Sequence, residues 1–321
     1  MPEDAETPAI VTIGETMLLL HSQRAEGLEM AAALDVSIGG AESNVAIGAR
    51  RLGVPSAWVS RLGDDSAGLR IQRDLRAEGV TVCARVDPDL PTGMMLKERR
   101  SSNATHVWYH RAGSAASRLT PADVPDGLIE SARVLHLTGI TPALSTDAHA
   151  TVRAAIERAA AACVLVSFDV NHRRRLWSAS CARPAYRDLV AASGLVFAGL
   201  DEARLILDDD LLDAEAACAE LHGLGAATVV IKLGGDGALL SDAEGRIHRP
   251  AIPVDVVDTV GAGDAFVSGF LAALVTGADR VQALEAGIRS GALACTAAGD
   301  WEGLPRPADV EALSATEPVS R

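Results

Sequence analysis

Apolar runs of strand length alternate along the chain with segments whose apolar residues recur at helical spacing. Residues 10–14 read as a buried strand, 43–52 as a helix and 57–60 as a second strand. Residues 66–78 predict a helix with Leu69, Leu75 and Ala77 inward and Asp65 or Ser66 as its N-cap. Further strands are predicted at 134–137, 164–169, 195–198, 229–233 and 238–241. Helices are predicted at 146–161, 185–192, 202–207, 214–224, 262–275 and 280–297, with Pro305 and Pro307 ahead of a terminal helix. This alternation predicts an α/β fold, a mostly parallel sheet with helices on both faces.

Two segments, about residues 16–38 and 92–112, break the rhythm with looser polar–apolar alternation. Within them, Thr92-Gly-Met-Met-Leu-Lys-Glu and His106-Val-Trp-Tyr-His-Arg111 predict a half-exposed antiparallel pair. Together the two segments predict a small β-lid over the carboxyl edge of the main sheet, where such folds bind ligands. No repeat or inter-domain linker interrupts residues 1–321, which read as one domain.

Composition sharpens this picture. Apolar residues make up 48% of the chain and aromatics only 3%, so the core is aliphatic, with close helix–sheet packing. A net charge of −14 argues against a nucleic-acid partner, which needs a basic face. It also means that an anionic ligand must be drawn in by local Arg, Lys or backbone dipoles. Five cysteines (83, 163, 181, 218 and 295), odd in number and never in CxxC, speak against a disulfide framework or zinc site and for a reducing compartment. The acidic start, Met1-Pro-Glu-Asp-Ala-Glu, lacks a basic n-region, and charges break the Ala-rich run at 153–166. A cytoplasmic protein without a membrane span is expected.

The richest chemistry lies at Asp258-Thr-Val-Gly-Ala-Gly-Asp264-Ala-Phe. Gly261, Ala262 and Gly263 would sit at a helix N-terminus, where free N–H groups and the dipole favour a phosphate oxygen. Asp264, in the first turn, could take a proton from a substrate hydroxyl; alternatively it merely caps the helix. Gly39 and Gly40 allow close backbone approach to a ligand, and Asn44 suits sugar hydroxyls, although Ser43 or Asn44 could be a plain N-cap. Tyr109 and Arg111 share a strand face and could hold a carboxylate, or lie on a solvated edge. Asp169-Val-Asn-His-Arg173 ends a buried strand, and Arg173, Arg174 and Arg175 form a local cation cluster, one of which could bind an anion. Lys232-Leu-Gly-Gly-Asp-Gly237 matches neither a P-loop nor GxGxxG; it is a hairpin turn or a flat glycine shelf for a nucleotide.

In order and spacing these pieces resemble the ribokinase-like, or PfkB-type, carbohydrate kinases, from about residue 10 to about 313. The motifs that carry the resemblance are Gly39-Gly40…Asn44…Leu52-Gly53…Arg61-Leu-Gly63-Asp64…Gly68 and Asp258-Thr-Val-Gly-Ala-Gly-Asp264-Ala-Phe. The resemblance implies a three-layer α/β/α sandwich with a β-lid, and ATP- and Mg²⁺-dependent phosphorylation of a sugar hydroxyl. Asp264 matches the catalytic base, and Gly261, Ala262 and Gly263 the anion hole. Lys232, Gly234, Gly235 and Gly237 match the nucleotide shelf. Glu202 matches a residue that holds Mg²⁺ through water; the Asn usual three positions before it is Gly199 here, for which Asp201 would have to compensate. Asp258 and the carbonyl of Val260 match positions that hold a monovalent cation such as K⁺ in many members.

Within the family the chain is most similar to 2-keto-3-deoxygluconate kinases, on Tyr109-His-Arg-Ala-Gly-Ser-Ala, Leu135-His-Leu-Thr-Gly-Ile-Thr-Pro-Ala-Leu, Asp169-Val-Asn-His-Arg and Gly299-Asp-Trp-Glu-Gly-Leu-Pro. That similarity implies an acid-sugar substrate held by Gly40, Asn44, Tyr109, Arg111 and Arg173, with Met95 where a tyrosine is often found. A neutral-sugar kinase for fructose or ribose, and a non-catalytic sugar sensor, are the alternatives. A homo-oligomer is expected by the same analogy.

Overall fold

The computed structural model describes residues 6–22, 26–101 and 104–314. The acidic start at residues 1–5, the final residues 315–321 and parts of both lid segments (23–25 and 102–103) lie outside the described residues. In chain order the strands are β1 (Ile10–Ile13), β2 (Met17–Ser22), β3 (Leu34–Gly39), β4 (Ser56–Gly63), β5 (Thr81–Asp87), β6 (Met94–Ser101) and β7 (Ala104–His110). They continue with β8 (Val134–Thr138), β9 (Leu165–Asp169), β10 (Leu195–Gly199), β11 (Thr228–Lys232), β12 (Ala238–Asp242) and β13 (Gly245–Arg249). The helices are α1 (Ala41–Arg51), α2 (Ser66–Ala77), α3 (Thr146–Ala161), α4 (Ala179–Ala191) and α5 (Leu200–Leu207). They are followed by α6 (Ala214–Leu224), α7 (Ala262–Val275), α8 (Arg280–Ala294) and α9 (Pro307–Ser314).

Nine strands form one sheet in the order β13-β12-β11-β10-β9-β8-β1-β4-β5. It is parallel from β11 to β5 and antiparallel only at the β12 and β13 edge. Side chains alternate across a strand, and here successive residues feed two different interiors. Val11, Leu135, Val166, Val196 and Val229 face the layer of α3 to α6. Their neighbours Ile10, Val134, Leu195 and Val230 face α1, α7 and α8. This makes a three-layer sandwich. The lid is a separate four-stranded sheet, β3-β2-β6-β7, in which β6 and β7 pair antiparallel as expected.

Some elements differ from the sequence expectation. In α2, Leu75 points inward as expected, but Leu69 is 66% exposed and Ala77 is also exposed; Ile71 takes the inward place beside Leu75, packed with Trp58 and Leu62. Helix α4 begins at Ala179, six residues ahead of the expected start at 185, because the Ser178 side chain caps it and Pro184 falls inside the helix. Helix α8 stops at Ala294, short of 297. Strands β5 and β13 were not expected: β13 is mostly exposed with Ile247 its one apolar residue, and β5 is a half-exposed edge whose short alternation of Val82, Ala84 and Val86 was not read as a strand.

Candidate active site

The carboxyl ends of β1, β8, β9, β10 and β11 converge beneath the lid. Asp169 ends β9 and Lys232 ends β11, with Nζ 2.8 Å from both Asp169 carboxylate oxygens. Facing them is the start of α7. Gly261 is its N-cap with φ +77, a left-handed conformation that favours glycine, and a Cβ there would strike the Asp300 carbonyl. The first amide to bond into the helix is Ala265 N–H, to the Gly261 carbonyl at 2.8 Å. Of the amides before it, Ala262 N–H bonds the Thr259 carbonyl at 3.3 Å, so those of Gly261, Gly263 and Asp264 are the ones left for an anion.

Asp264 is the third helical residue and is 8% exposed. Its Oδ2 accepts from Asn44 Nδ2 at 2.8 Å and its Oδ1 from Asn171 Nδ2 at 3.4 Å. Burial pushes its pKa up to about 7; the Asn44 hydrogen bond, Arg173 and Lys232 oppose the rise, while Asp169 adds to it. Asp264 therefore does not serve as the N-cap, a position Gly261 holds, and Asn44 is neither cap nor free. Asn171 was not singled out from sequence. It adopts φ +39, tolerable for Asn, and this sharp bend past β9 turns its amide to Asp264.

Beside the α7 start lies a mostly apolar cleft of about 520 Å³. Lys232, Gly234, Gly235 and Gly237 line it on one wall, Ala262 and Gly263 at its end. Ile252, Val254 and Ile288, which sequence reasoning did not flag, supply apolar walls. The shape and lining suit a flat aromatic base leading to the amide cradle.

On the other side of Asp264, Gly39 and Gly40 precede α1. Their missing side chains make room for protein rather than for a ligand: a Cβ on Gly39 would strike Asp300 and Met95, and one on Gly40 the Glu15 backbone. Arg111 is buried and gives Nε to Glu15 Oε2 at 2.6 Å, with its Nη2 also on that oxygen. Glu15 further accepts from Ser114 Oγ at 2.6 Å. The Arg111 guanidinium lies 5.8 Å from the Tyr109 ring centre. Met95 is buried with Met17 and Leu19, in register opposite Tyr109. Arg173 is exposed and, among the described residues, has no ion pair. Arg174 lines a separate polar groove and Arg175 donates to the Val107 carbonyl on β7.

Glu202 accepts one backbone N–H on each oxygen, from His172 and from Gly199, both at 2.7 Å. The carboxylate is thereby pinned at the ends of β9 and β10, an oxygen donor that fits a hard cation keeping its own water. Gly199 has room for a side chain, since a Cβ would meet only Glu202 at ordinary contact, 3.5 Å. Asp201 does not compensate: it is 92% exposed and pairs with Arg204. Asp258 does not fit a free monovalent cation, because Lys97 Nζ already lies 2.7 Å from its Oδ2 and Val260 N–H bonds its Oδ1 at 3.1 Å. Burial pushes the Asp258 carboxyl up, but Lys97 and backbone donors outweigh it and hold the pKa below the ordinary value.

Comparison with known proteins decides what this arrangement is. The family model described as "pfkB family carbohydrate kinase" matches residues 7–307. The chain belongs to the PfkB family of carbohydrate kinases. It is 37% identical to a 2-dehydro-3-deoxygalactonokinase of Haloferax volcanii over 92% of this chain and 93% of that one. It is 35% identical to a 2-dehydro-3-deoxygluconokinase of Bacillus subtilis, covering 92% of each. A putative ribokinase II from E. coli, solved with ATP and Mg²⁺, superposes with a TM-score of 0.87 at 25% identity, over 96% of this chain and 99% of that chain. This PfkB kinase thus has the ribokinase-like sandwich expected from its motifs, and it is an ATP-dependent sugar kinase.

Proposed function

We propose that this kinase moves the γ-phosphoryl group of ATP to the terminal hydroxyl of a 2-keto-3-deoxy sugar acid of the gluconate or galactonate series. The observation that carries the reading is the Asp264 carboxylate, buried at the head of α7 between the nucleotide cleft and the start of α1 and held by the amides of Asn44 and Asn171. Asp264 is the base that takes the hydroxyl proton as the oxygen attacks. The amides of Gly261, Gly263 and Asp264 meet charge on the migrating phosphoryl group. Mg²⁺ carried by the nucleotide would neutralise charge on its phosphates. Glu202 is the residue that would receive its water shell. Lys232, Gly234, Gly235 and Gly237 hold the nucleotide, and the lid excludes water from the reacting groups.

Arg173 supports an acid substrate over a neutral one, since its guanidinium is unpaired and near enough to Asp264 to shift its pKa. Arg111 is already balanced by Glu15, so its role is to present Tyr109 and a remaining N–H rather than a free charge. Asn44, Gly39 and Gly40 shape the sugar side. The reading includes a homo-oligomer joined at the lid and a place in the cytoplasm; Cys163 and Cys181 are free and exposed, as a reducing compartment allows.

The test is a substrate panel of 2-keto-3-deoxygluconate, 2-keto-3-deoxygalactonate, fructose and ribose, for wild type and Arg173→Ala. A charged hydrogen bond contributes about 1.5–3 kcal/mol, so KM for the acid sugars should rise about 10–100-fold. Fructose and ribose, poor substrates for wild type, should be unaffected. Equal losses on all four sugars, or a wild-type preference for a neutral sugar, would remove the carboxylate role.

A further inference from the structure

Lys97 belongs to lid strand β6, yet its ammonium is buried below the lid. Its Nζ lies 2.7 Å from Asp258 Oδ2 and 3.6 Å from Asp300 Oδ1. Both acids are nearly buried, with side chains 10% and 12% exposed. Asp258 sits three residues before the N-cap Gly261, and its second oxygen orders the turn between them by accepting Val260 N–H. Asp300 closes the same space from behind: its side chain abuts Gly39 and its carbonyl abuts Gly261. The cluster therefore touches the Gly39 end of β3, the lid and the foot of the anion cradle together.

The family resemblance implies a monovalent cation at the positions of Asp258 and the Val260 carbonyl. Potassium and an alkylammonium head are both compact monovalent cations, and a carboxylate can be satisfied by either. A lysine head delivered by the chain needs no capture from solvent, and its position is fixed by the strand that carries it. A buried carboxylate with such a partner has no reason to recruit a second cation.

We propose that the Lys97 ammonium is a built-in monovalent cation for the anion-cradle loop, making turnover independent of added K⁺ and tying that loop mechanically to the lid. Lid strand β6 thus reaches the cradle through one ion pair rather than through solvent ions. The inference rests on the kinase activity but not on which sugar is phosphorylated, so it survives or fails separately from the substrate panel.

The experiment compares wild type and Lys97→Met in tetramethylammonium chloride and in KCl or NH₄Cl at constant ionic strength. ATP turnover is read alongside thermal melting and thallium-205 line width. Wild type should show the same rate and melting temperature in every salt, with no thallium broadening. Lys97→Met should lose about 10–100-fold in turnover, the equivalent of one charged hydrogen bond. KCl or NH₄Cl should restore part of that loss, raise the variant's melting temperature and bring on thallium broadening. Activation of wild type by KCl, or thallium bound to wild type, would overturn the proposal by revealing a true ion site beside Lys97. So would a Lys97→Met enzyme with normal turnover and no salt response. Should that variant not fold, the wild-type salt and thallium profiles still decide between a built-in and a captured cation.

Discussion

Asp264 loses most of its water on folding, and that loss outweighs the donors around it, so its carboxyl titrates near pH 7 rather than at 3.8. A carboxylic acid whose pKa rises on folding favours the fold at low pH and weighs against it as pH climbs through about 7. Two consequences follow for one substitution. Turnover needs the ionised form, so kcat/KM of wild type should fall on the acid side of about pH 7. Asp264→Asn should lose about 10²–10⁴ in kcat while melting higher than wild type at pH 8, the gain shrinking towards pH 5. Rates from a pH series and melting curves at the two pH values check both; near-normal turnover in the variant would remove the base assignment. The residues of this centre divide by distance along the chain. Gly261, Ala262, Gly263 and Asp264 were legible because the cradle and its carboxylate occupy one short run. The Glu15–Arg111 and Lys97–Asp258 pairs were not: Arg111 and Asp258 stood out in the sequence, but their partners lie 96 and 161 residues away and nothing local marks Glu15 or Lys97. Asn44 was picked out for its amide, but that it would spend the amide on Asp264 depends on where α1 and α7 meet.

Helix α2 shows how an element can fix its neighbours. Asp65 caps it by accepting Gly68 N–H at 2.7 Å, and its other oxygen accepts Thr92 N–H, at the base of lid strand β6, at 2.8 Å. Asp65→Ala should therefore cost more than an ordinary cap, above about 1 kcal/mol. The measurement is a denaturant midpoint together with amide exchange at Thr92, which should quicken in the variant; Asp65→Asn should restore much of the stability. The cap itself was readable from Asp65-Ser66, whereas its second bond, to the lid, was not. Elements with a strong apolar period were also readable, and α3, α6 and α7 have the expected bounds. The edge strand β13 gains its strand form from its paired neighbour β12, not from its own pattern. Leu69 misled because helical spacing offered several possible inward faces, and only contact with Trp58 and Leu62 selects the one bearing Ile71 and Leu75.

At the scale of the molecule, the central sheet keeps two interiors apart. Phe266 belongs to the one that also walls the nucleotide cleft, with its ring 6.1 Å from that of Phe197. Leu221 on α6 belongs to the other and is fully buried. Leu221→Ala should cost about 2–5 kcal/mol of stability and leave KM for ATP unchanged, whereas Phe266→Ala should cost about 3–5 kcal/mol and raise that KM as well. Denaturation curves with ATP titrations on both variants measure this split. Helices α3 and α6 supply none of the side chains proposed above to hold sugar, nucleotide or phosphate. An engineer seeking heat tolerance can therefore rewrite the inner faces of these two helices for better fit and spare the catalyst, while the opposite layer offers no such freedom.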